Sequence, residues 1–128
     1  MKLLLDTHLL LWAAGQPGKL PVLARALLDD MANELLFSAA SLWEVVIKRR
    51  LGRTGFRVDP HLLRRGLLDN GYRELAITSE HAIAVDGLAP LHKDPFDRIL
   101  IAQAIVERIT LLSADPLVAQ YHAPVRLV

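Results

Sequence analysis

The chain has 128 residues, 15 basic against 14 acidic side chains for a formal net charge of +1, no cysteine, and 52% hydrophobic residues with a mean hydropathy of +0.29. This length fits one domain, residues 1–128, and leaves no room for two full ones. The near-neutral charge makes any nucleic-acid binding a matter of local patches. The absence of cysteine excludes disulfides, thiolate metal sites and cysteine nucleophiles, and it suits a reducing, cytoplasmic setting.

Lys2 to Leu5 reads as a short buried strand ending at Asp6. A helix follows through Leu9 to Ala14 and is broken by Gly15, Pro17 and Gly18. Asp6 and His8 interrupt the apolar N-terminal run, which argues against an export signal, and no apolar run is long enough to span a bilayer. Leu20 to Met31 has helical spacing of Leu and Ala, and Leu35 to Phe37 is a second strand ending near Ser38. Ala39 to Leu51 is a strong helix stopped by Gly52. A basic loop covers 52–59, and Pro60 opens a helix through Leu68, before the Asn70-Gly71 turn. Arg73 to Ile77 is a third strand, Ser79 to Val85 a short helix, and 86–95 a loop. Phe96 to Glu107 is a helix with Ile99, Leu100, Ala102, Gln103 and Val106 as its expected inner face. Thr110 to Ser113 is a fourth strand, Pro116 to Gln120 a helical turn, and Val125 to Val128 a terminal strand. The alternation predicts an α/β domain: a mostly parallel sheet of four to five short strands with helices on both faces.

Ligands of such sheets bind outside the carboxyl ends of the strands. Four acids fall there from four separated segments: Asp6 after the first strand, Glu44 one to two turns into the helix after the second, Asp97 in the first turn of the long helix, and Asp115 after the fourth strand. Each alone has a structural explanation. Ser41-Leu42-Trp43-Glu44 matches a capping box, Asp94-Pro95 and Asp115-Pro116 read as N-cap followed by N1 proline, Asp97 complements a helix dipole, and Asp6 is placed to cap the first helix. Together they are harder to explain by capping, since carboxylates roughly 4 Å apart repel by about 4 kcal/mol at an effective dielectric near 20. A cluster of this kind holds protons or cations. Oxygen ligands without cysteine or histidine suit Mg²⁺, with Mn²⁺ as the alternative, and Mg²⁺ shares its shell with phosphate oxygens.

The stretches LLLDTHLLLW at 3–12, SAASLWEVVIKRRLG at 38–52, HKDPFDRILIAQA at 92–104 and LLSAD at 111–115 resemble, in order and spacing over nearly the whole chain, the PIN-domain ribonucleases and among them the VapC-type toxins. The resemblance implies metal-site acids at Asp6, Glu44, Asp97 and Asp115, with Asp94 as a helix cap or outlying neighbour. It implies orienting hydroxyls at Thr7 and Ser113, where many relatives carry threonine at the second position. It further implies cleavage of RNA by metal-activated water to leave a 5′-phosphate and a 3′-hydroxyl, a homodimer, and a cognate VapB-type antitoxin. That partner's apolar segment is expected along Leu9 to Trp12, Leu20 to Leu28 and Trp43 to Ile47, which the surplus of apolar residues suits.

Lys48, Arg49, Arg50, Arg53 and Arg57 form a basic run, and Lys93 and Arg98 flank the acids. Arg98, Lys93, Lys48 and Arg49 are the candidates for RNA phosphate contacts, which position a nucleic acid without reading its sequence. The alternative for the helix-end cations is complementation of the macrodipole. The histidines are dispersed; His8, two residues from Asp6, reads as an outlying neighbour of the site or a cap rather than a ligand. Trp12 and Trp43 are read as core or interface residues rather than base-stacking platforms. The competing functions are another Mg²⁺-dependent phosphoesterase and a catalytically silent RNA- or protein-binding module of the same fold. His8, where a phosphatase with an Asp nucleophile carries a second Asp, counts against the former.

Overall fold

Three consecutive leucines set the architecture. In strand β1 (Lys2–Leu5), Leu3 and Leu5 point to one face of the sheet and Leu4 to the other, and all three are fully buried. Burying each leucine is worth about 2 kcal/mol, and a strand apolar on both faces needs cover on both. In the computed structural model, which describes residues 1–128, β1 is the central strand of a sheet completed by β2 (Glu34–Ser38), β3 (Arg73–Leu75), β4 (Thr110–Ser113) and β5 (Val125–Leu127). The order is β3-β2-β1-β4-β5 and every pairing is parallel.

The helices are α1 (Thr7–Gly15), α2 (Val22–Asp29), α3 (Ala39–Arg50), α4 (Pro60–Asp69), α5 (Ser79–Ala84) and α6 (Pro95–Glu107). Leu9 and Leu10 of α1, Ala24 of α2 and Leu63 and Leu67 of α4 pack with Leu3, Leu5 and Phe37 in one core. Leu100, Ile101 and Ala104 of α6 pack with Leu4, Leu36 and Leu111 in the other. Helix α3 contributes Val45 to the first and Ala40 to the second. None of these helices is long and apolar enough to cross a membrane.

The sequence expected a one-sided inner face on α6, and the structure corrects this. Residues Leu100, Ile101, Ala102, Gln103 and Ala104 are all buried, while Ile99 and Val106 are only half-buried. The reason is position: α6 lies between the sheet and α5 and also touches α3, so it has little free circumference. The capping box at Ser41–Glu44 is also corrected. The helix begins earlier, at Ala39, with Ser38 as its cap, and Glu44 is free of capping duty.

Helix α6 ends on Arg108, the one non-glycine residue with a positive φ, at φ 55 and ψ 46. A side chain in this left-handed conformation costs roughly 1 kcal/mol that glycine avoids. Arg108→Gly is therefore expected to raise the melting temperature by a few degrees, since the arginine side chain is exposed. A lower melting temperature on calorimetry would show that this side chain contributes to the fold.

The chain leaves β1 toward β2 and leaves β4 toward β5, in opposite directions along the sheet. The carboxyl ends of β1 and β4 thus flank a topological switch point, where a parallel sheet opens a crevice.

Candidate metal centre

Asp6 sits at this switch point. Its backbone N–H continues the β1–β4 ladder by donating to the Leu112 carbonyl at 3.0 Å. Its buried carboxylate is held from two sides: Oδ1 accepts from Leu9 N–H at 2.9 Å, capping α1, and Oδ2 accepts from Ser113 Oγ at 2.6 Å. Burial raises the Asp6 pKa above its ordinary value, against the lowering effect of those two hydrogen bonds. The Ser113 hydroxyl also accepts from Asp115 N–H at 3.0 Å, so one side chain aligns two acids.

Glu44 reaches the crevice from α3 and is buried. Thr7 Oγ1 donates to its Oε1 at 2.6 Å, with Ser41 Oγ 3.0 Å from the same hydroxyl, and Lys48 Nζ donates to its Oε2 at 2.6 Å. Lys48 also lies 3.4 Å from Asp94 Oδ2. Burial pulls the Lys48 pKa down, but the hydrogen bond and charge of Glu44, then of Asp94, outweigh it and leave it raised. Asp94 caps α6, its Oδ1 accepting from Phe96 N–H at 2.8 Å and Asp97 N–H at 3.4 Å.

Asp97 lies in the first turn of α6. Its pKa is pushed up to about 7 from 3.8, first by burial and then by the charges of Asp94, Glu44 and Asp6, with His92 opposing. Asp115 is the open member, its side chain 42% exposed, and its Oδ1 accepts from Leu117 N–H at 2.9 Å. All four acids expected from the sequence thus meet at one crevice, with Thr7, Ser113 and Asp94 beside them.

The structure also brings His92, which the sequence alone does not tie to the acids, into the crevice. His92 Nε2 lies 2.8 Å from Asp97 Oδ2 and 3.4 Å from Asp115 Oδ2, and donor atoms of these three residues fall within 4.8 Å of one another. Its Nδ1 accepts from Asp94 N–H at 3.2 Å, which assigns the proton of the neutral ring to Nε2. That buried atom has no hydrogen-bond partner; its contacts with the two carboxylates are close but poorly directed. His8, two residues from Asp6, is exposed and meets Trp12 tilted and Phe56 edge-on.

The expected phosphate contacts fare differently. Arg98 turns away from solvent. Its Nη1 donates to the Ala89 and His92 carbonyls at 2.9 and 3.4 Å and to Tyr121 Oη at 3.1 Å. Its Nη2 donates to the Val85 and Leu88 carbonyls at 3.3 and 3.5 Å. This guanidinium straps the loop before α6 onto the domain, and gripping a phosphate would break that strap. Lys48 is engaged by Glu44 and Asp94, while Lys93 and Arg49 are exposed.

A crowded acid cluster with one carboxyl titrating near neutrality and an imidazole lacking a directed partner is short of positive charge. The donor set of carboxylate oxygens fits a hard divalent cation. The imidazole does not enter that set in the assigned tautomer, because Nε2 carries the proton.

The sequence matches the PIN domain family over residues 3–122. No curated protein matches it at a significant level. Among solved structures, a chain of VapBC2 from Rickettsia felis bound to a DNA fragment from their promoter is similar with TM-score 0.71 and 14% identity, covering 99% of this chain and 98% of that one. A chain of VapBC-1 from nontypeable Haemophilus influenzae is similar with TM-score 0.60 and 17% identity, covering 94% and 91%. A domain of a functionally unknown protein from Methanocaldococcus jannaschii has TM-score 0.59 and 16% identity, covering 99% and 90%.

Proposed function

Because this chain belongs to the PIN domain family, we propose that it is a divalent-cation-dependent endoribonuclease and the toxin of a VapBC-type pair, working in the cytoplasm with Mg²⁺, or Mn²⁺ in its place. The observation that carries the reading is the meeting of Asp6, Glu44, Asp97 and Asp115 at the switch point, with Asp97 pushed up to about 7. Asp6, Asp97 and Asp115 would hold the cation, with Glu44 completing the set or orienting water. Bound there, the cation supplies Lewis acidity, activating water for attack and neutralising charge on the phosphate.

The chain's own residues prepare that chemistry. Leu9 N–H and Ser113 Oγ fix both oxygens of Asp6. Thr7 and Lys48 fix both oxygens of Glu44. Asp97 holds a proton near neutrality and must release it before its oxygens can take a cation. Such fixed groups need little reorganisation when charge develops on the phosphate. RNA cleavage tests the reading: fragments are expected with Mg²⁺ or Mn²⁺ and none with excess chelator, while a folded protein that leaves RNA intact in both cations would overturn it.

A pH dependence follows from Asp97. Its folded value of about 7 lies above the unfolded 3.8, so between them the folded chain binds more protons and stability falls as pH rises. A cation that displaces the proton is hindered where the proton is tightly held. Added Mg²⁺ or Mn²⁺ is therefore expected to raise the melting temperature more at roughly pH 8 than at roughly pH 6. Equal shifts at both would remove Asp97 from the cation site.

The partner reading has a surface to suit it. A groove of about 1000 Å³ runs between α1, α2, α4 and the loop at 54–58, lined by Leu11, Leu20, Leu28, Val58, Leu62 and Leu67 among others. The VapBC complexes among the similar structures favour a VapB-type antitoxin segment as its occupant. Trp43 to Ile47, expected in the same groove, do not line it. The homodimer remains part of the proposal.

A further inference from the structure

Of the two Trp, two Tyr and three Phe residues, only Trp43 is exposed, at 60%. Covering an aromatic side chain removes roughly 150–250 Å² from water, so leaving one open forgoes a substantial stabilisation. The ring is nonetheless oriented. It meets Phe96 edge-on, with centroids 5.6 Å apart and planes at 83°. Both members adjoin the acids: Trp43 precedes Glu44 on α3, and Phe96 precedes Asp97 on α6. Lys48 Nζ, 2.6 Å from Glu44, stands 5.7 Å from the Phe96 ring. From the carboxylates outward, the surface therefore runs acid, cation, aromatic and exposed aromatic.

The geometry points to Trp43, braced by Phe96, as a stacking platform for an unpaired nucleobase flanking the phosphate that is cut; the assignment rests on the nuclease reading above. The position favours a base over a second protein chain. A chain laid on Trp43 would lie against the approach to Glu44 and Asp97, which a polyanionic substrate needs open. Every nucleobase offers a π-face, so stacking there holds a strand without selecting its sequence and is worth about 1–3 kcal/mol per base.

The test uses the full chain with Asp97→Asn, so that RNA is bound and not cut, and Trp12→Phe, so that Trp43 is the only tryptophan. A short, labelled single-stranded RNA is titrated in Mg²⁺ while label anisotropy and Trp43 emission are followed together. A second RNA of equal length carries abasic residues and so keeps the phosphates alone. The platform predicts quenching by the first RNA and none by the second. Trp43→Ala should weaken binding of the first RNA about ten-fold, to the level of the abasic strand, and Trp43→Phe should restore most of it. Binding at full strength by Trp43→Ala, or unquenched emission in the bound state, would overturn the platform and leave the nuclease reading standing. Emission that changes with protein concentration before RNA is added, with a dimer that Trp43→Ala abolishes, would overturn it in favour of a second copy. A wild-type chain that neither binds nor cuts RNA would bring down both. Should Trp12→Phe disturb the fold, the anisotropy comparison on the otherwise native chain carries the test.

Discussion

Replacing Asp97 with asparagine is expected to abolish the proposed RNA cleavage and at the same time to raise the melting temperature of the metal-free protein above pH 7. The two effects share one cause. A carboxyl pushed from 3.8 to about 7 is ionised in the folded state only against burial and the neighbouring charges of Asp94, Glu44 and Asp6. Ionised against those forces, Asp97 lowers folded stability by an amount on the order of a few kcal/mol. Asparagine keeps the shape and removes the charge. The gain should shrink as pH falls through 7 and vanish only below 3.8, where wild-type Asp97 is protonated in both states. Cleavage should fall by roughly a thousand-fold or more, the scale of several kcal/mol lost from the transition state. Thermal denaturation across pH, beside a cleavage assay, checks both. A variant that is less stable than wild type at high pH would mean that Asp97 is a structural cap, not a held-back ligand.

Removing the Arg98 guanidinium has the opposite character. Arg98→Ala breaks bonds to four backbone carbonyls and to Tyr121 Oη. The expected cost is about 3 kcal/mol, given that hydrogen bonds to charged groups contribute roughly 1.5–3 kcal/mol each and water replaces some of them. Because the strap and Tyr121 Oη, which accepts from His92 N–H at 2.8 Å, fix the segment carrying His92 and Asp94, the proposed activity is expected to fall with stability. Arg98→Lys separates this role from phosphate binding. A lysine retains the charge that a phosphate needs but cannot reach several carbonyls with a planar fork. Both variants should melt earlier than wild type. A lysine variant with native stability, and an alanine variant that loses only RNA affinity, would restore the phosphate contact.

The legible and illegible parts of this molecule divide along sequence distance. The leucines of β1, the glycine and proline breaks and the cap residues act locally, so the alternation of strands and helices and the parallel sheet could be read directly. Asp6, Asp97 and Asp115 could be placed because each follows a strand or opens a helix, and a parallel sheet aligns such ends at one edge. His92 could not. Its place depends on a loop held by Arg98 and by Tyr121, residues from another helix and from the stretch after β4. The histidine in HKDPFD, two residues before the cap of α6, was the only available signal. Arg98 is a related case: a cation next to an acid reads as a substrate contact, and the carbonyls that engage its guanidinium become visible only in the structure. Trp43 reads from its apolar helix face as a core or interface residue, and only the structure shows that it lies outside both cores and is exposed.

The most direct measurement is the chemistry of the cut ends. Protein purified free of any partner is incubated with RNA in Mg²⁺, in Mn²⁺ and in excess chelator, and the termini of the fragments are determined. A carboxylate-held cation directing water predicts 5′-phosphate and 3′-hydroxyl ends that appear only when the cation is present. Fragments with 2′,3′-cyclic phosphate ends that persist in chelator would contradict the account, because they require attack by the RNA's own 2′-hydroxyl and would shift the chemistry from the four acids to a histidine.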